Sequence, residues 1–409
     1  MTKVSSRSLS ITTIDQVVSS LSNFLFLILL AMIQNVEDFA RSSTLWIVIS
    51  YIVITQRSVF GIPLLLDLNS KDEFSQGNSG IKFASIVLSA PAATCALIFY
   101  VDTANIVYLY IACLVPIILL QDIGRYIAIS RANAGTALAS DLFLLAPVLS
   151  LVIFSFATDG KVSTTVTVAF FAFGLIGASA LVLGHRIFVF SIRELSVLLS
   201  EDVSRRKRLF YDSILISGTA LGTVLFVWVC YGSAGVAGLN GSLTALAPIG
   251  LSTLVIQLVI QHGIAASQGS VRMREKSLFL ILLILGIAWV VIILGVPESV
   301  GQSLLGVTWG TARNLFIPMG FALLVGLLIE FLVVALRAQN SMKMVVKVRQ
   351  LVIAFIPVSY LAASLFHLEL RLAIYANGVW GLVVAIWIIV RFNPISDKKN
   401  LDTEIGVIK

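Results

Sequence analysis

Residues 43–66, STLWIVISYIVITQRSVFGIPLLL, form an apolar run long enough to cross a bilayer, and the run carries one cation, Arg57. At about 1.5 Å per residue, Arg57 lies about 14 Å from the end of the run near Leu66. A hydrocarbon core is about 30 Å thick, which sets the arginine close to its middle. A guanidinium at that depth costs about 2.5–3.5 kcal/mol on insertion scales. A water-filled cavity, an anionic partner or an anionic ligand offsets such a cost; helix carbonyls or snorkelling to the interface are the structural alternatives. Gly61 and Pro63 follow the arginine and predict a kink just below it, as a gate or as packing alone.

Other polar residues fall at helical spacing inside apolar runs. Asp15, Ser19, Ser22 and Asn23 stand at offsets of 4, 7 and 8 and share one helical face, turned to a cavity or to a neighbouring helix. Thr253, Gln257 and Gln261 repeat every four residues in GSLTALAPIGLSTLVIQLVIQH, with His262 beside them as a titrating group or as a solvated helix end. Pro248 and Gly250 predict a bend in that segment. Glu330, in GLLIEFLVV, is a candidate proton-coupling or gating carboxylate, or else the partner of a nearby base. Asp15 and Asp212 occupy matching places in ITTIDQVVSS and RLFYDSILIS, a faint internal echo.

These residues need helices to position them. Of 409 residues, 58% are hydrophobic and 12% charged, against about 25% charged in soluble domains. Mean hydropathy is +1.00, which makes the chain an all-α polytopic membrane protein. Twelve runs of spanning length recur, near 14–34, 43–66, 81–101, 105–121, 139–157, 165–184, 210–231, 241–262, 277–296, 314–336, 348–366 and 372–391. The first has no small-residue cleavage site after it and reads as a retained span. With the N-terminus on the cytoplasmic side, inside segments hold 23 of the 28 lysines and arginines, Arg125 among them, and outside loops hold four. That asymmetry puts both termini in the cytoplasm and explains the net charge of +7 without nucleic acid.

The polar connection 185–209 separates two sets of six spans. The expected organisation is an N-terminal lobe, 1–184, a cytoplasmic linker, 185–209, a C-terminal lobe, 210–391, and a cytoplasmic tail, 392–409. An even number of spans gives both lobes the same orientation. Cys95, Cys113 and Cys230 all lie in apolar runs and read as packed thiols, not as a disulfide framework or a metal site. There is no phosphate-binding G-x-x-x-x-G-K-[ST] loop, and no cofactor is called for.

Three stretches carry a resemblance. They are DQVVSSLSNFLFLILLA with RSVFGIPLLLD, then LQDIGRYIAISRANAGTALASD, and more loosely GSAGVAGLNGSLTALAPIG. They resemble the polysaccharide-biosynthesis flippases of the MOP superfamily, the Wzx-like O-antigen and repeat-unit transporters, which are related to MATE exporters and lipid II flippases. The matching residues are Asp15, Asn23 and Phe24; Arg57, Pro63, Leu64 and Leu65; and Gln121, Asp122, Arg125 and Tyr126, with Asp141 closing the second stretch.

The resemblance implies two six-helix lobes around a central cavity lined by spans one, two, seven and eight. It implies alternating access in a bacterial cytoplasmic membrane, with an undecaprenyl-pyrophosphate-linked oligosaccharide as substrate. Partners would be membrane lipids and the polymerase or glycosyltransferases of the same pathway. Substrate-binding candidates are Arg57, Asn23, Asp15, Gln257 and Gln261; coupling or gating candidates are Glu330, His262 and Asp212. Lipid II flippases use several cavity arginines, one of them in span eight, where this chain has only glutamines. Arg57 is therefore expected to be the one clear cation. A cation-coupled MATE-like exporter of small molecules is the alternative, with Asp15, Asp141 or Glu330 as its acidic site. An enzyme is not expected, since the outside segments offer little beyond His367, Glu369 and Arg371.

Overall fold

A computed structural model of the chain describes residues 6–61, 64, 74–131, 133–158, 162–184, 190–194, 203–256, 260, 264, 271–339 and 341–392. Fourteen α-helices and no strand occur among them. In order they are α1 Ser6–Ile33, α2 Val36–Gln56, α3 Phe74–Thr103, α4 Ile106–Ser130, α5 Ala134–Ala157, α6 Thr164–Leu183 and α7 Val203–Ala245. Then come α8 Ala247–Val255, α9 Met273–Leu294, α10 Glu298–Leu305, α11 Trp309–Arg313, α12 Phe316–Ala338, α13 Met342–Leu365 and α14 Leu370–Phe392. An all-helical answer follows from the solvent: in hydrocarbon each backbone N–H and C=O must be bonded within its own segment.

Local chemistry fixes where the helices start. The Asn35 side chain accepts from the Asp38 N–H at 2.8 Å, and Asn105 does the same for Val107 at 3.1 Å. The Asn35 cap starts α2 at Val36, seven residues before the apolar run that suggested it. Arg57 is the residue that ends the regular helix, its backbone N–H donating to the Ile54 and Val53 carbonyls. A wide π-helical turn, Arg57–Gly61, follows the last regular residue; Pro63, the other residue of the expected kink, lies outside the described residues.

Eleven helices among the described residues are long and apolar enough to span a membrane. Eleven of the twelve expected runs fall on them. The remaining run, 241–262, is divided among the end of α7, the short α8 and residues of which 257–259 and 261–262 lie outside the described set. Within α7, Gly232 has φ 66° and ψ −166°, and nothing lies within 4 Å of where its Cβ would be. Glycine is needed there for the positive φ, which a side chain would strain.

The chain divides into two compact units, Met1–Leu221 with Ser303–Val307, and Gly222–Gln302 with Thr308–Lys409. In the first, α1 packs on α5, α3 on α4, and α6 on both α4 and α5. Leu29, Leu30, Val115, Leu119 and Ile123 are fully or almost fully buried in it. In the second, α12 is the central helix and packs on α14, α9, α8 and α13. Its Leu332, Val333 and Leu336 meet Val345, Val348, Ala385 and Ile388, while Phe331 and Val334 meet Ile256, Ile260 and Leu282. Large apolar side chains elsewhere on α9 and α14 remain exposed, as a lipid-facing surface requires. The three cysteines are free, and Cys113 is exposed on α4 where a packed thiol was expected.

Candidate functional site: a buried ion-pair network in the first unit

α4 continues nine residues beyond the run 105–121 from which it was expected, to Ser130. Gln121, Asp122 and Arg125 are therefore membrane-helix residues on one face, and Arg125 does not belong to a cytoplasmic loop. The extension has a simple cause: offsets of 1 and 4 keep these polar groups on the buried side of the helix, where partners compensate them.

Arg57 is not an isolated cation. Its Nε donates to Asp122 Oδ1 at 3.1 Å and Oδ2 at 3.0 Å, and its Nη2 donates to Oδ1 at 2.6 Å. The Arg57 side chain keeps 24% exposure against 4% for Asp122. Its Cζ stands 6.0 Å from the centre of the Tyr126 ring. That ring in turn lies against Gly61, where a Cβ would come within 2.8 Å of it. A glycine at the end of the π-helical turn thus lets Tyr126 seat beside the guanidinium.

Arg125 is the second cation, and it is buried among three carboxylates. Its Nη2 lies 2.6 Å from Asp15 Oδ2 and 2.9 Å from Asp141 Oδ2, and its Nη1 lies 3.4 Å from Asp122 Oδ1. Nη1 also donates to Ser19 Oγ at 3.0 Å. Gln121 Nε2 donates to Asp141 Oδ1 at 2.9 Å and to Ser140 Oγ at 3.1 Å, and Ser140 donates to the Ala178 carbonyl at 3.0 Å. The network thus ties α1, α2, α4, α5 and α6 together at one end of the unit. Asp15 stands in the first half of α1, Arg57 directly after α2, Arg125 in the second half of α4 and Asp141 in the first half of α5.

The structure brings together eight residues that the sequence singled out: Asp15, Ser19, Arg57, Gln121, Asp122, Arg125, Tyr126 and Asp141. Ser140 joins them and had not been singled out; its signal was its place beside Asp141 on a run already marked by the motif. Asn23 is half-buried on α1 and takes no part in the network. Ser22, on the same helix, is spent on the Val18 carbonyl at 3.0 Å. Gln257, Gln261 and His262 lie outside the described residues. Asp212 is buried. Glu330 belongs to the second unit, where Arg349 of α13 donates to it and Arg337 lies 3.9 Å away. No group of three or more His, Cys, Asp and Glu side chains able to hold a metal occurs among the described residues.

Solved structures share this architecture. A lipid II flippase, MurJ, in an inward closed conformation superposes with a TM-score of 0.66 at 12% identity, over 93% of this chain and 86% of that one. An inward-facing multidrug-resistance MATE transporter of the MOP superfamily gives 0.61 at 12% identity, over 92% and 95%. An outward-facing MATE transporter of the same superfamily gives 0.58 at 12%, over 95% of both chains. The fold is that of the MATE and MurJ transporters. No family profile and no curated relative matches the sequence. At 12% identity the MATE-like fold is what is shared, and the residues of the network have to be read from this chain itself.

Proposed function

We propose that this chain is a flippase of the MOP type. It would move an undecaprenyl-pyrophosphate-linked oligosaccharide across a bacterial cytoplasmic membrane by alternating access. The observation that carries the reading is the setting of Arg57. It is the partly exposed member of an otherwise buried charge network, on a membrane helix of a MATE-like fold. A diphosphate headgroup in a bilayer requires a fixed cation with directed donors, and a guanidinium supplies five N–H groups in a planar fork. The lipid tail can remain in the membrane while the head crosses, and no covalent chemistry is needed. Polymerase or glycosyltransferases of the same pathway would supply and consume such a substrate.

The test is replacement of Arg57 by alanine in the native host. Surface glycan should fall to the level of a deletion strain, and lipid-linked intermediates should accumulate while membrane levels of the protein stay normal. Wild-type export by that variant would overturn the role of Arg57.

A second reading, cation-coupled export of small molecules, is favoured by one feature. The network sets three carboxylates, Asp15, Asp122 and Asp141, against two guanidiniums, Arg57 and Arg125. A surplus acid of that kind is what an exchanging cation would use. Dye efflux lost on Asp141→Asn, with surface glycan unchanged, would select this reading.

A further inference from the structure

We infer that Asp122 is the resident counter-ion of Arg57, occupying the part of the guanidinium that an anionic ligand must win. Its release passes charge to Arg125. The inference rests on the reading of Arg57 as an anion-binding group.

Three features of the geometry support it. First, Asp122 engages only one edge of the Arg57 fork, through Nε and Nη2. Among the described residues Nη1 has no hydrogen-bond partner, and the side chain is still partly open. An anion can therefore dock on the free edge before it competes for the rest. Second, Asp122 Oδ1 is shared: it accepts from Arg57 Nη2 at 2.6 Å and from Arg125 Nη1 at 3.4 Å. The long member of that pair is positioned to shorten when the short one breaks. Third, Arg125 holds α1 through Asp15 and Ser19, and α5 through Asp141. A stronger claim by Asp122 on Arg125 weakens those ties. Occupancy at a partly exposed group is thus converted into a change in how two buried helices are bonded.

The same arrangement sets selectivity. A resident carboxylate with three contacts at 2.6–3.1 Å outcompetes a singly charged ion with no directed acceptor geometry, such as chloride. A diphosphate carries more charge and several acceptor oxygens for the same fork, and it can displace the carboxylate. Asp122 therefore acts as a threshold that admits multiply charged phosphoryl groups. Removing it makes the site tighter and less choosy, and it breaks the link to Arg125.

The experiment uses the full chain in nanodiscs, with inorganic pyrophosphate as probe and chloride as competitor, read by calorimetry. Asp122→Asn should bind pyrophosphate at least about tenfold more tightly than wild type, and chloride should compete more effectively. Asp122→Glu, which keeps the charge, should stay near wild type, and Asp122→Asn with Arg57→Gln should lose the gain. A thermal midpoint and elution profile close to wild type establish that each variant is folded. Unchanged or weaker pyrophosphate binding by folded Asp122→Asn overturns the inference, even if glycan export is impaired. The predicted tightening, together with normal glycan export by Arg57→Ala, leaves the inference standing and removes the glycan reading instead.

Discussion

Arg125 and Asp15 are 110 positions apart in the chain, and their side chains meet at 2.6 Å, both essentially buried. The pair closes α4 against α1. It does so with Asp141 and Asp122 on the same guanidinium, so three carboxylates depend on one residue. Burying charge in this way is costly unless every partner is present, and removal of one partner costs more than the pair itself contributes.

Arg125→Ala should accordingly destabilise the first unit by about 3–5 kcal/mol. Thermal unfolding in detergent and the yield of membrane-inserted protein would measure it. Arg125→Lys keeps the charge but loses the fork that spans Asp15 and Asp141, and it should fall between alanine and wild type. Arg125→Met combined with Asp15→Asn and Asp141→Asn removes the uncompensated charges and should recover much of the loss. A single alanine variant as stable as wild type would contradict the network.

Gly61 tests how Arg57 is aimed. A Cβ at this position comes within 2.8 Å of Tyr126 Cδ1, so the ring must move, and the ring flanks Arg57. Gly61→Ala should cost about 1–3 kcal/mol and lower glycan export more than this loss of stability explains. Adding Tyr126→Leu should restore stability, since the clash is gone, without restoring export. Restoration of both would reduce Tyr126 to packing.

Glu330 is a contrast in the second unit. It is buried against Arg349, with Arg337 at 3.9 Å, so Glu330→Gln removes the carboxylate that both arginines face. Both arginines keep some exposure, which places the expected loss at the lower end of about 3–5 kcal/mol. Glu330→Leu with Arg349→Met should regain it. If the repaired double variant still exports glycan, Glu330 serves the fold; failure to export in a protein of normal stability would give it a part in coupling.

Much of the architecture was legible without coordinates. Span lengths follow from bilayer thickness and helix rise, and eleven expected runs landed on eleven helices. The motif Gln121, Asp122, Arg125 and Tyr126 was legible as a unit, as was Asp15. Helix ends were not. α2 starts at a polar cap that hydropathy ignores, seven residues before the apolar run. α4 continues through polar residues that hydropathy reads as loop, which had hidden Arg125 in a connection. Local apolarity marks neither boundary; hydrogen bonding and burial against neighbours decide both.

The sequence by itself determined that the chain is helical, that it spans a membrane many times, and which few charged residues sit in its apolar runs. These are properties of single segments against a fixed hydrocarbon thickness. Only the tertiary structure decided who pairs with whom: Asp122, 65 positions away, holds Arg57, while Asp15, Asp122 and Asp141 share Arg125. Ion pairing in a low-dielectric interior depends on distances of a few ångströms between different helices. No spacing along one helix encodes those distances.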